Sequence, residues 1–179
     1  MKKSEKILLS AALSAATVYY LKKRQVRLPK GVKPVKNFEI LKFIGTWNVI
    51  AKLNPQPELP LSHISFDFSP NERGGLKVKS KGFDEVSETW TSSIGEMQFV
   101  GKFDKARFKM SFYKPLWFGF NVISIDEDYR YALVAGNSLK YLWILSKEAS
   151  VPQEVRDEFL LKATRLGYNT AELVWVFHQ

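Results

Sequence analysis

The chain has 179 residues, a formal net charge of +9, 45% hydrophobic and 14% aromatic residues, and no cysteine. That length suits one domain plus a short extension. The missing cysteine excludes disulfides, thiol chemistry, cysteine metal sites and a lipid-modified cysteine.

Residues 1–37 do not read as part of a globular fold. Lys2, Lys3 and Lys6 precede the apolar run Ile7 to Leu21, and Lys22, Lys23, Arg24, Arg27, Lys30, Lys33 and Lys36 follow with no acid among them. A basic n-region, an apolar stretch and the small residues Ser14, Ala15 and Ala16 fit a cleaved secretory signal. Tyr19, Tyr20 and the flanking cations fit an uncleaved anchor equally, although the run is short of the roughly 20 residues that span a bilayer. The heavier positive charge after the run argues against simple export. Residues 22–37, with Pro29, Gly31 and Pro34, read as a basic tether. Basic charge beside an apolar run points to a membrane surface, and no recognition motif points to nucleic acid.

From Gly45 onward the hydrophobic period is two. Thr46 to Leu53 is a strand, and the three prolines of residues 54–60 make a loop. Ser62 to Ser69 alternates, Pro70 to Gly75 is a turn, and Lys77, Lys79 and Lys81 oppose Leu76, Val78 and Ser80 on the next strand. Residues 86–102 read as a longer strand bent at Gly95. Further strands are expected at 107–113, 119–125, 129–135 and 140–146, an even spacing typical of an antiparallel barrel. Val151, Val155, Phe159, Ala163 and Leu166 share one helical face, with Ser150 as N-cap, Gln153 completing a capping box and Gly167 as the stop. Residues 173–177 are a last short strand.

Catalytic signals are weak. The chain has two histidines, His63 and His178, no nucleophile elbow and no glycine-rich loop that opens a helix. Asp126, Glu127 and Asp128 read as turn-capping residues. No catalytic residue, metal ligand or cofactor is expected.

Gly45-Thr-Trp47, Asp128-Tyr129 and the run Tyr141 to Lys147, followed by a helix and a final strand, resemble the lipocalins, in the bacterial branch related to apolipoprotein D. The resemblance covers residues 38–179 and divides the chain there from the N-terminal segment 1–37. It implies an all-β fold: an eight-stranded antiparallel up-and-down barrel with a C-terminal helix and a short final strand. It gives Gly45, Trp47, Asp128, Tyr129 and Lys147 structural roles at the closed barrel end. Lys147 stands where the family usually has arginine, and Glu127 where threonine is common.

The ligand then belongs to the inward positions. Alternation nominates Phe66, Phe68, Val78, Trp90, Phe108, Met110, Phe112, Phe120, Val122, Tyr131, Leu133, Tyr141 and Trp143, with Arg130 and Tyr113 as polar handles for a headgroup. Their abundance suits an acyl chain, so the expected partners are a fatty acid or lysophospholipid and a membrane surface reached through the N-terminal segment. The expected setting is the cell envelope, membrane-anchored or periplasmic, as monomer or homodimer. The alternative is a filled barrel that acts as a structural or interaction module.

Overall fold

The computed structural model describes residues 26–54 and 60–178. Strands β1 (Gly45–Leu53), β2 (Leu61–Pro70), β3 (Leu76–Asp84), β4 (Thr89–Phe99), β5 (Arg107–Ser111), β6 (Phe118–Ile125), β7 (Tyr131–Ala135) and β8 (Leu142–Ser146) follow one another. Each pairs antiparallel with its neighbour, and β1 pairs with both β8 and β2, so eight strands close into a barrel. Closure leaves no long unpaired edge. A short helix α1 (Ile40–Phe43) precedes the barrel; helix α2 (Gln153–Arg165), a 3-10 turn (Thr170–Glu172) and β9 (Val174–Trp175) follow it.

Short polar side chains make the turns. Asn71 Oδ1 accepts the N–H groups of Arg73 and Gly75 at 3.0 and 2.9 Å, which folds the β2–β3 turn. Asp84 accepts Val86 and Ser87 N–H after β3, and these bonds hold its carboxyl below the usual range. Asp126 accepts Arg130 and Tyr131 N–H in the β6–β7 turn. Among the described residues no acidic or histidine cluster suits a metal ion.

Two cores form on either side of the barrel wall. The inner one fills the barrel with Phe43, Trp47, Phe66, Phe68, Phe108, Met110, Phe120 and their neighbours. The outer one lies between α2 and the outer faces of β1 and β6–β8, where Phe159 and Ala163 meet Ile50, Leu133, Leu142 and Ile144. Helix α2 begins at Gln153 with Pro152 as its N-cap, and no side chain caps it. The expected capping box does not form, because Ser150 gives its carbonyl to Ser146 Oγ and Gln153 bonds Asp157 instead. Its other end matches expectation: Gly167, at φ +91°, lets Tyr168 N–H reach Ala163 O and Gly167 N–H reach Thr164 O.

Three details depart from simple alternation. Strand β4 runs straight through Gly95 in continuous register with β3. Glycine stands there because a Cβ would lie 2.5 Å from Ser111 O and 2.8 Å from the Phe112 ring. The β1–β8 register slips between Val49 and Ala51, so Trp47 and Val49 point in, Ile50 and Ala51 point out, and Lys52 points in beside its partner Trp143. Residues 26–37, expected as a tether, lie on the barrel: Val32 is buried, Val35 N–H bonds Val122 O, and Lys36 bridges Lys105. Beyond Asn48, β1 and β2 diverge. The C-terminal segment enters that seam, pairing Val174 with Lys52 and giving Phe177 O to His63 N–H. The final strand is thus two residues long where five were expected.

Candidate functional site: the open barrel mouth

The two barrel ends are built differently. At the closed end Trp47 is fully buried, donates Nε1–H to Phe43 O at 2.7 Å and stacks on the Phe43 ring at 4.7 Å. Lys147 places Nζ 5.3 Å from the Trp47 ring centroid and donates to Lys42 O at 2.8 Å. The Tyr129 hydroxyl accepts Glu39 N–H at 2.8 Å, and Tyr129 itself sits at φ +56° in the turn. Gly45, at φ +103°, turns the chain into β1. Asp128 faces solvent near Arg130, and the neighbouring Asp126 caps the turn.

At the other end the strands open on a cavity of about 480 Å³, within the roughly 300–1,000 Å³ typical of small-ligand pockets. Its walls carry two ring pairs. Tyr141 and Trp143 stack with centroids 6.4 Å apart, and Phe112 and Phe118 with centroids 6.3 Å apart. The small side chains Ser80 and Ser93 also line the cavity, with Asn54, Asn137, Tyr113 and Leu116. Trp143 also approaches Phe120 at 6.2 Å, which marks the floor. Two other hollows, one between Gly31 and α2 and one near Gly167, lie on the outer surface and carry charged side chains in their linings.

Of the residues nominated by alternation, Phe112, Tyr141 and Trp143 line the cavity. Phe66, Phe68, Val78, Phe108, Met110, Phe120 and Val122 point inward but lie deeper, packed on one another at 8% exposure or less. Three nominations point the wrong way. Tyr131 and Leu133 pair with Ser146 and Ile144 and face outward under α2, while Ala132 and Val134 face in. The helix buries that outer face, so every residue of β7 is buried and hydrophobicity cannot mark the inner side. Trp90 pairs with Phe83 on the outer face, with Lys81 Nζ 3.8 Å from its ring centroid. Of the two headgroup handles, Tyr113 reaches the cavity rim. Arg130 lies at the closed end among Asp126, Asp128 and Glu148.

Ser80, Ser93, Asn54, Phe118, Leu116 and Asn137 were not nominated. A size gradient could have found several of them. Along the inward face of β3 the residues fall from Leu76 and Val78 to Ser80 and Gly82, and along β4 from Phe99 and Met97 to the small residues Gly95, Ser93 and Thr91 on the side of the mouth. Lys52, inward by its pairing with Trp143, is not among the residues that line the cavity. It is buried at 9% exposure, and burial pulls its ammonium below the usual lysine range.

A closed antiparallel barrel, plugged at one end by a tryptophan and hollow at the other, defines a binding protein for small hydrophobic ligands. The chain belongs to the lipocalin family: residues 38–178 match the lipocalin-like domain. The outer membrane lipoprotein Blc of Escherichia coli K12 is 38% identical over 148 residues, covering 83% of this chain and 84% of that protein. The Blc protein of Vibrio cholerae is 31% identical over 153 residues, covering 85% and 90%. These relatives, outer membrane lipoproteins by name, place the chain in the bacterial Blc-like branch. Among solved structures, insecticyanin of the tobacco hornworm Manduca sexta superposes with a TM-score of 0.68 at 18% identity, over 86% of this chain and 87% of that one. Lobster apocrustacyanin A1 gives 0.63 at 14% identity, over 86% and 94%. These two likenesses speak for the fold alone. The family is one of ligand carriers, generally not enzymes.

Proposed function

We propose that the protein holds one single-chain amphiphile, a fatty acid or a lysophospholipid, in the barrel mouth, and stores or transports it at the envelope without catalysing a reaction. The observation that carries this reading is the cavity of about 480 Å³ walled by Phe112, Phe118, Tyr141 and Trp143. Apolar walls favour an acyl chain, each buried methylene contributing about 0.8 kcal/mol, offset in part by chain ordering. The same cavity disfavours the alternative of a filled, purely structural barrel. Native mass spectrometry of purified protein is expected to find co-purifying acyl lipids, and affinity is expected to rise with chain length. Equal affinity for short and long chains would overturn the reading.

The segment 1–37 completes the proposal as a membrane attachment, with residues 38–179 as the carrier domain. The run Ile7 to Leu21 lies outside the described residues. Its apolar character and the cations that follow it support an anchor at an anionic surface, where each cation contributes about 1 kcal/mol. The full-length chain is expected to stay with membranes through a high-salt wash. Recovery wholly in the soluble fraction would defeat this part.

A further inference from the structure

The outer hollow between α2 and the segment that precedes the barrel is chemically unlike the mouth. It holds about 480 Å³ and gathers three cations against one acid: Lys33 from the segment, Lys162 and Arg165 from the last turn of α2, and Glu158. None of the three cations is in an ion pair among the described residues. Cations near a helix C-terminus suit the helix dipole, which accounts for Lys162 and Arg165. Lys33 comes from another segment, and packing holds that segment here. Val32 is buried, Val35 N–H bonds Val122 O, and a Cβ on Gly31 would lie 3.8 Å from Leu166. Leu161, 52% exposed, stands in the same lining. Unpaired cations beside an exposed leucine match the two layers of a lipid surface, anionic head groups and the acyl region beneath them.

From this arrangement we infer that the face carrying Lys33, Lys162, Arg165 and Leu161 docks on an anionic phospholipid bilayer, with a head-group phosphate in the hollow. The inference rests on the membrane-attachment reading above and deepens it by naming the face that meets the lipid. Ammonium and guanidinium groups both bond phosphate oxygens, the guanidinium through two parallel N–H groups. Chain length supports the placement. Leu21 ends the apolar run, and Val26 is already held on the barrel, its carbonyl accepting Arg107 Nη2–H at 3.1 Å. The five residue steps between them extend at most about 18 Å, so a bilayer that holds the run lies close to the segment that packs against α2. The placement also serves the mouth. Gly167, which stops α2, shares a hollow with Leu139 and Lys140 of the β7–β8 loop. That loop gives Gly136, Asn137 and Tyr141 to the ligand cavity. Docking through the end of α2 therefore sets one edge of the mouth beside the lipid that supplies or receives an amphiphile.

The chain has no cysteine, so a single introduced one can be labelled alone. The test labels full-length Leu161→Cys and Ser92→Cys with an NBD fluorophore. Ser92 is exposed on β4, across the closed barrel from the β7–β8 wall that carries α2. Each protein is reconstituted with vesicles of phosphatidylcholine alone, or of phosphatidylcholine and phosphatidylglycerol in equal parts. Quenching by a lipid with a nitroxide on its head group is then read. In the anionic vesicles the label of Leu161→Cys is expected to be quenched at least twofold more than that of Ser92→Cys. This excess is expected to vanish in phosphatidylcholine alone, and also when Lys162→Glu and Arg165→Glu are added. Lys33→Glu, which lies off the helix, is expected to reduce the excess in the same way and replaces the double variant if that one fails to fold. Equal quenching at the two positions, the same excess in neutral vesicles, or an excess unchanged by the charge reversals overturns the inference and leaves the attachment reading intact. Failure of the full-length chain to sediment with either kind of vesicle defeats the attachment reading itself, and the inference with it.

Discussion

The closed and open halves of the barrel are made by the same strands with the same alternation, yet one is solid and the other hollow. At the closed half large rings fill the interior, and Phe43, Trp47, Phe68 and Phe120 pack on one another at centroid distances of 4.7 to 6.4 Å. At the open half the inward residues of β3 and β4 fall to serine, threonine and glycine, and the space they vacate is the cavity. Alternation therefore decides which face a residue occupies, and side-chain volume along the strand decides whether that face is core or pocket. Stability should reside in the first half and ligand affinity in the second.

The most direct way to break this division is Trp47→Ala. Deleting a fully buried ring costs about 3–5 kcal/mol, and here it also orphans Phe43 O and removes the face beneath Lys147. Thermal unfolding should shift down strongly, and the folded fraction should still bind acyl chains. A variant that keeps its melting temperature but loses lipid would reverse the assignment of the two ends.

Gly95→Ala probes the border between the halves. The new methyl would lie 2.5 Å from Ser111 O and 2.8 Å from the Phe112 ring, and overpacking of this kind costs about 1–3 kcal/mol. Because Phe112 is a cavity wall, the variant should lose both melting temperature and affinity. Ser93→Phe should separate the two quantities. It fills the cavity from the small-residue side, so affinity should fall at least about tenfold, or 1.4 kcal/mol, while denaturant unfolding changes little. A loss of stability like that of Trp47→Ala would show that the mouth is already close-packed.

Much of the fold was legible because its causes are local. Gly45 and Trp47, the turn at residues 70–75 and the apolar face of α2 each act through neighbours in sequence, and the structure has them where expected. The site was only partly legible. Phe112, Tyr141 and Trp143 were found because alternation holds on their strands. Tyr131 and Leu133 were misplaced because α2 hides the polarity contrast on β7, and Trp90 because strand register depends on pairings at a distance. The inward turn of Lys52 on β1 was hidden for a third reason. A bulge costs one residue of phase and leaves no mark in composition, so a lysine in an alternating run reads as solvent-facing.

Lys147→Met returns to the closed end with a smaller effect. Lys147 is exposed, and a cation–π contact at such a site contributes about 0.5–1 kcal/mol. The bond to Lys42 O goes with it. Unfolding should register a loss of that order, and ligand affinity should not change. Any drop in affinity would mean that the closed end communicates with the mouth, against the division drawn here.

The smallest effect at neutral pH is expected from Tyr168→Phe, which asks whether the outer core is packed as tightly as the closed half. Tyr168 is 3% exposed beneath α2, and its hydroxyl has no hydrogen-bond partner among the described residues. Removing a buried, unpartnered hydroxyl should leave stability unchanged or raise it by up to about 1 kcal/mol. Burial pushes the phenol up from 10.0 to about 12. Below pH 10 the phenol is neutral in both folded and unfolded chains, so its burial is uncontested. Between pH 10 and about 12 the unfolded chain releases the proton and the folded one keeps it, so wild-type stability falls as pH rises. Phenylalanine has no proton to lose. The stability difference between variant and wild type should therefore be flat up to about pH 10 and widen in favour of the variant toward pH 12, as read by urea unfolding at each pH. A difference that stays constant across that window would show that water reaches the Tyr168 hydroxyl, and that the layer under α2 is looser than the closed barrel end.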